Sequence, residues 1–532
     1  MSTSTLSPSA DSAWLRLVSG GPLLAVAVVW LTTAGHTLNF REMNAAKGWV
    51  SAEAYSLHSG FLLAVGLTLL ATPCLAGKFG PRALTLFGLG LFIVGSALNG
   101  LWVHESLGTF LAGRVLAGIG GGLVLFSAPS LLSPRWDRAF AWGGILLPPL
   151  GPPVIGGASF LYGWSNWEGG FLFEGMLALV CFLGIAAMPR DGSRPSTAPR
   201  WPILYWPWLV LAVIGFWYCL HWGHLQGWLE SPEVLTALTV GLLGLAWVCW
   251  WLWPVIDGEA LRENGFRLVL VAFSGAVQFF HGTTMTIYSS LFVNYNVWQR
   301  SWLVWSMPLG VALALGLASL WLRRAPLGRV GALLGLLSLA AGMSLLNRVT
   351  MEWPYWLVQN SMELNWFQAP LHWEQTPGRI VTGFGLGLLM ASVTNMVSRR
   401  ADVEIHVRQL LPVVQTISGG LAIGVLVTWL LTGHQTHYSY TAEASTIQAQ
   451  EYSTRMSDMR EALIRSGLTR DVADRQTLSM FSKAVHYQAD NLTYAEMYGT
   501  FCESALVLAG LVILSITWSR LRGGHLSRYR GD

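Results

Sequence analysis

The chain has 532 residues, 53% hydrophobic and only 11% charged, with a formal net charge of +4. A soluble domain is about one-quarter charged, so this composition excludes a water-covered globular protein, a disordered chain and a secreted disulfide scaffold. The 32 basic residues are nearly all arginine and form no continuous patch, which excludes nucleic acid as a partner.

The N-terminus is Ser-rich and polar through Ala13, and the first apolar run is too long for a signal h-region. Apolar runs long enough to cross a bilayer then follow near 22–40, 53–75, 83–104, 107–132, 139–162, 167–188, 204–224, 234–256, 268–294, 301–322, 329–347, 379–398, 409–432 and 500–519. These are numbered spans 1 to 14. They predict an all-α integral membrane protein set in a lipid bilayer, with most neighbouring spans antiparallel. The five cysteines, Cys74, Cys181, Cys219, Cys249 and Cys502, lie in or beside apolar runs without CxxC spacing and read as small core hydrophobes.

Lysines and arginines in the short loops set the orientation. With the N-terminus cytoplasmic, that side holds 20 of them, from Arg16 to Arg530. The shorter outer loops hold five: Arg41, Lys47, Arg300, Arg348 and Arg379. Both termini are therefore expected in the cytoplasm. The 434–498 segment carries Leu463, Val472, Leu478, Phe481, Ala484 and Val485 at helical spacing, interrupted by Gly467. It reads as an external helical hairpin that lies on the protein or faces a partner; a solvated loop with no partner is the alternative.

Span 4 contains Gly113-Arg114-Val115-Leu116-Ala117-Gly118-Ile119-Gly120-Gly121-Gly122-Leu123, and span 12 contains Gly378-Arg379-Ile380-Val381-Thr382-Gly383-Phe384-Gly385-Leu386-Gly387-Leu388. The loops before spans 3 and 11 also match, each with Pro, Gly and Arg ahead of a helix rich in Gly and Leu. The expected organisation is a cytoplasmic N-terminus (1–21), an N-terminal six-helix half (22–189), and a linker with inserted spans 7 and 8 (190–256). A C-terminal six-helix half (257–519, including the 434–498 hairpin) and a cytoplasmic tail (520–532) complete it. Repeated halves that rock around a midplane site are how secondary transporters achieve alternating access.

These residues resemble the major facilitator superfamily, in particular the fourteen-span EmrB/QacA-type drug/proton antiporters, over roughly residues 20 to 520. Phe110-Leu-Ala-Gly113-Arg114-Val-Leu-Ala-Gly118-Ile-Gly-Gly-Gly122 is similar to that family's span-4 motif, and Pro153-x-x-Gly156-Gly157 to the end of its antiporter motif. Gly223 to Trp228, the outer hairpin and Arg379-x-x-x-Gly383 also match. The resemblance implies a major facilitator fold of two six-helix halves plus two inserted helices, with protons and a small molecule as its cargo. It makes Lys78, Gly80, Arg82, Gly118, Gly122, Pro152, Pro153, Gly156, Gly157, Arg379 and Gly383 conformational motif residues. The chain departs from the family at four places. Span 1 reads His36-Thr37-Leu38-Asn39-Phe40 where the family has an acid; Gly77 stands for an Asp of the span 2–3 loop; Pro152 precedes Pro153 where Gly is usual; and Glu174 replaces a favoured Asn.

Arg114 lies about 10 Å into span 4, and Glu174 about 11 Å into span 6, at 1.5 Å per residue. Charges at such depth are costly and functional by default, so the two are the proton-coupling candidates; a static ion pair holding the spans is the alternative. Trp30, His36 and Asn39 in span 1, Gln278, His281 and Tyr288 in span 9, and Trp305 in span 10 are candidate substrate contacts, against plain interhelical hydrogen bonding. His221/His224 and His434/His437 share helix faces but lack further ligands, and read as interfacial polar residues. There is no phosphate-binding loop, HExxH, GxSxG elbow or dinucleotide fingerprint, so no cofactor, resident metal or catalytic set is expected.

The expected function is proton-coupled export of amphipathic or aromatic small molecules across a bacterial inner membrane, with a periplasmic membrane-fusion adaptor as a further partner for the hairpin. Two alternatives stand beside it: a transporter for one metabolite, peptide or siderophore, in either direction, and a non-transporting receptor or envelope assembly component. Most of the 28 tryptophans cluster at span ends and read as an interfacial belt.

Overall fold

The computed structural model describes residues 21–38, 40–101, 106–131, 168–188, 205–252, 258–291, 297–321, 328–360, 371–396, 401–447 and 449–528. Among them the regular structure is helical throughout: α1 (Gly21–Leu38), α2 (Phe40–Lys47), α3 (Ser51–Phe79), α4 (Pro81–Leu101), α5 (Leu107–Ser127), α6 (Glu168–Ala187), α7 (Trp206–Trp222) and α8 (Pro232–Leu252) come first. Then come α9 (Gly258–Leu291), α10 (Val297–Trp321), α11 (Gly328–Asn360), α12 (Leu371–Met396), α13 (Ala401–Ile447), α14 (Ala449–Arg465) and α15 (Arg470–Arg528). Helices are what a lipid-embedded chain must form, because each backbone N–H and C=O must then be satisfied within its own segment. Nine of the described helices are long and apolar enough to cross a membrane. The expected spans 1 to 4 correspond to α1, α3, α4 and α5, spans 6 to 13 to α6 to α13, and span 14 to the C-terminal part of α15. Span 5, at 139–162, lies outside the described residues.

The glycine repeat explains how the helices meet. A Cβ at Gly118 would strike the Phe61 carbonyl of α3, and one at Gly122 the Val65 carbonyl. On the opposite side of α5, Gly120 abuts Gly88 and Phe92 of α4. In the second copy, Gly383 abuts the Met307 carbonyl of α10 and Gly387 that of Val311, while Gly385 abuts Gly335 and Leu339 of α11. Each copy of the motif is thus wedged between the two helices that precede it in its own half. Without a hydrophobic force between helices in lipid, such backbone-to-backbone approach is a main source of association.

The loop motifs also repeat in three dimensions. Gly80 turns the chain into α4 at φ +79°, and Arg82 donates from Nη2 to the Ala186 carbonyl at the end of α6 (2.8 Å). Gly328 turns the chain into α11 at φ +38°, and Arg329 donates from Nη1 to the Ser515 carbonyl of α15 (2.8 Å). Lys78 is exposed beside the first of these turns.

The two sets of helices join along α3 and α13, where Gly66 packs on Ile417 and Gly420 on Leu63. The α7 helix lies on this seam. Trp206 donates to the Leu67 carbonyl (3.1 Å), Trp217 to Ser59 Oγ (2.8 Å), and Thr428 of α13 to the Leu220 carbonyl (3.0 Å). His221 bonds through Nε2 to Ser59 Oγ at 3.0 Å and is buried. That corrects the interfacial expectation for this histidine: it is buried between the Trp217 carbonyl of its own helix and Ser59 of α3, 162 residues away. The α8 helix packs on α7 and turns Leu243 and Trp250, the latter 77% exposed, outward.

At 1.5 Å per residue the 59-residue α15 is about 88 Å long, far beyond a hydrocarbon core of about 30 Å, so its polar N-terminal part stands outside the apolar span. The helices α13 and α15 therefore run on unbroken from their spans into the 434–498 hairpin, with Gly467 (φ +98°) turning the chain between α14 and α15. They are pinned by two histidine–carboxylate contacts, His434 Nδ1 to Asp490 Oδ1 (2.5 Å) and His437 Nε2 to Glu496 Oε2 (3.0 Å). His486 bonds to His434 at 3.2 Å and stacks on Tyr438 at 4.4 Å between centroids. Burial pushes the Asp490 carboxyl up, and His434 and His486 beside it offset part of that rise.

Candidate functional site

Three side chains meet inside the first set of helices. Arg114 of α5 is 1% exposed and Glu174 of α6 is 3% exposed, and the two interact electrostatically. Thr32, buried on α1, lies close enough to Glu174 to bear on its charge, while its hydroxyl donates to the Val28 carbonyl (2.9 Å). The guanidinium carbon of Arg114 lies 4.3 Å from the centroid of the Phe61 ring and 5.7 Å from that of Phe171. Phe171 meets Phe110 edge-on at 5.9 Å, and Phe110 meets Trp49 at 5.4 Å. Aromatic faces thus solvate the cation where water is scarce, and Glu174 compensates its charge. Among the described residues Glu174 is the one buried carboxylate.

A second group occupies the corresponding helices of the other half. Arg379 on α12 is fully buried and interacts electrostatically with His281 of α9 and Tyr498 of α15, both buried. The His281 and Tyr498 rings meet edge-on at 5.8 Å. Gln375, also buried, stands one helical turn before Arg379 on the same face. Among the described residues, three guanidinium nitrogens of Arg379, both ring nitrogens of His281, Tyr498 Oη and Gln375 Nε2 have no hydrogen-bond partner.

Arg379 thus differs from its expected place in a short outer loop. The helix starts at Leu371, upstream of the apolar run, so Arg379 sits about 12 Å inside it. Gln278 makes an interhelical bond, accepting from Gln415 Nε2 of α13 at 2.8 Å. The side chains of Trp30, His36, Tyr288 and Trp305, together with Asn39, Pro152, Pro153, Gly156 and Gly157, lie outside the described residues. The sequence reading missed Thr32, Gln375 and Tyr498. Helical phase carries the signal for Tyr498: Tyr494, Tyr498, Ala505, Ala509 and Val512 form one buried stripe of α15, which begins before the apolar run does. Among the described residues no group of three or more His, Cys, Asp or Glu side chains is placed to hold a metal ion.

No family model matches the chain. It is 30% identical over 198 residues to the methylenomycin A resistance protein of Bacillus subtilis, covering 35% of this chain and 40% of that protein. It is 25% identical over 336 residues to a multidrug resistance protein B homolog of Mycobacterium tuberculosis (60% and 59%), and 28% identical over 245 residues to the multidrug export protein EmrB of Haemophilus influenzae (43% and 46%). The chain thus spans about 40–59% of the lengths of these relatives. Among solved structures, an auto-inhibited POT family peptide transporter superposes with a TM-score of 0.57 at 16% identity, covering 94% of this chain and 96% of that one. A proton-dependent oligopeptide transporter gives 0.56 at 11% identity, covering 96% and 99%. The chain is a multi-span membrane protein with the major facilitator fold, and the relatives it matches in sequence include proteins named for drug resistance and drug export.

Proposed function

We propose that the chain is a proton-coupled secondary transporter that exports amphipathic or aromatic small molecules across a bacterial inner membrane, with both termini cytoplasmic and halves 22–189 and 257–519 rocking about a central site. The observation that carries this reading is the buried Arg114–Glu174 pair with Thr32 on three helices of one half. The names of the sequence relatives support the substrate class. A proton reaching Glu174 neutralises the carboxylate and removes its hold on Arg114. Arg114 then keeps its contacts with the Phe61 and Phe171 rings but not its carboxylate, and the α5–α6 contact weakens. Loss of that proton restores the pair, so protonation biases the balance between inward- and outward-facing states. A driving force of about 150 mV supplies roughly 3.5 kcal/mol per charge, enough for a useful gradient. The likeness to peptide transporters is one of fold and adds no substrate.

Arg379 is placed in the C-half cavity wall, Gly118, Gly122 and Gly383 are the close contacts on which helices pivot, and the α13–α15 hairpin is the docking surface for an adaptor. Export of an aromatic dye from everted vesicles tests the function. Wild-type export stops when the pH gradient is collapsed, and Glu174→Gln abolishes it at equal membrane abundance. Full proton-driven export by Glu174→Gln would overturn the assignment.

A further inference from the structure

The two halves present the same three helix positions with opposite electrostatic character. In the first, Arg114 faces Glu174 and Thr32, so the buried charge is balanced within the protein. In the second, Arg379 faces His281 and Tyr498, with Gln375 one turn away, and among the described residues no buried carboxylate takes the place of Glu174. Two of the three charged side chains buried among the described residues are arginines, and one is an acid. One buried positive charge is therefore left over, and it is Arg379.

Burying an unpaired guanidinium in a bilayer-embedded bundle is a cost that protein packing does not repay. Every unpartnered group around it except one can donate: the guanidinium nitrogens, Gln375 Nε2, Tyr498 Oη and one nitrogen of a neutral His281. A donor-rich, positively charged, dehydrated cluster is complementary to an anion and repels a cation. The flanking surface is aromatic. Phe280, next to His281, meets Phe501 of α15 edge-on at 4.5 Å, and Phe501 lies on the same helix as Tyr498.

We infer that Arg379, Tyr498, His281 and Gln375 form an anion-binding subsite that takes the acidic group of an aromatic substrate, a carboxylate above all. The inference deepens the transporter reading and rests on it: it narrows the cargo from amphipathic molecules in general to those bearing an acid. The substrate anion would then neutralise the C-half while Glu174 carries the proton in the N-half, so each half handles one of the two coupled species.

The test is binding to the purified full chain in nanodiscs, with 1-naphthoate and its uncharged amide, 1-naphthamide, as matched probes. Wild type is expected to bind the acid about tenfold more tightly than the amide, the scale of one charge-assisted contact. Arg379→Gln should bring the two within about twofold, and Tyr498→Phe should lower the preference only in part. Arg379→Lys keeps the charge without the planar fork and should retain a reduced preference, which guards against a Gln variant that fails to fold. Inorganic phosphate alone should compete weakly. Equal binding of acid and amide by wild type, or an unchanged preference in Arg379→Gln, overturns the inference. So does phosphate competing as well as 1-naphthoate, since the site would then serve a free ion. Dye export measured on the same preparations separates the two readings: a wild type that exports dye yet binds acid and amide equally refutes the subsite alone, and a wild type that prefers the acid yet exports nothing refutes the transporter.

Discussion

The Arg114–Glu174 pair makes a quantitative prediction about stability. Both side chains are buried, so removing one partner strands the other in a medium that cannot hydrate it. Breaking a buried pair in this way costs about 3–5 kcal/mol. The contacts of Arg114 with Phe61 and Phe171 survive the loss of Glu174 and return part of that, up to about 2 kcal/mol for a desolvated cation over a ring. Glu174→Leu is therefore expected to destabilise the protein by about 1–3 kcal/mol. Arg114→Leu removes the cation that balances the buried Glu174 carboxylate and should cost about 4 kcal/mol. The double variant removes both charges and should cost less than the sum of the two, with a coupling of about 2 kcal/mol or more. Reversible unfolding in mixed detergent micelles, followed by tryptophan fluorescence, measures all four proteins. Additivity within about 0.5 kcal/mol would show that the two residues do not act as a pair, and the coupling mechanism built on them would fall.

Two further outcomes follow from the packing and the outer hairpin. Gly383→Val places a side chain against the Met307 carbonyl and should cost about 1–3 kcal/mol or more by overpacking, read as a lowered melting temperature; the same change at Gly90 of α4, which has open space at Cβ, should cost far less. Burial raises Asp490 above its ordinary value of 3.8, so its contribution to hairpin stability is fully present below that value and is lost as pH rises through the elevated one. Asp490→Asn should flatten that part of the pH dependence in hydrogen exchange of the hairpin amides, with His434 and His486 as the facing groups; an unchanged profile would assign the dependence elsewhere.

The sequence made the bundle legible because a membrane writes its constraint as long uncharged runs. It made the repeat legible because close helix contact demands glycine at fixed spacing, and the structure sets Gly118 and Gly122 on α3 and Gly383 and Gly387 on α10. Arg114 and Glu174 stood out as charges inside apolar runs. Arg379 did not, since residues 371–378 are polar enough to end a hydropathy run although the helix begins at Leu371. Tyr498 was hidden for the same reason, in a segment whose mean polarity masks one buried stripe. The union of Ser59, Trp217 and His221 joins residues some 160 positions apart, and no local pattern announces it.

The central claim is that proton movement through Glu174 drives substrate the other way. In proteoliposomes with an imposed pH gradient, simultaneous recording of internal pH and dye content tests it most directly. Wild type should move dye against protons, and Glu174→Gln should still bind dye yet move neither in response to the gradient. Gradient-driven dye flux in Glu174→Gln equal to wild type, or wild-type flux indifferent to the gradient, would contradict the account.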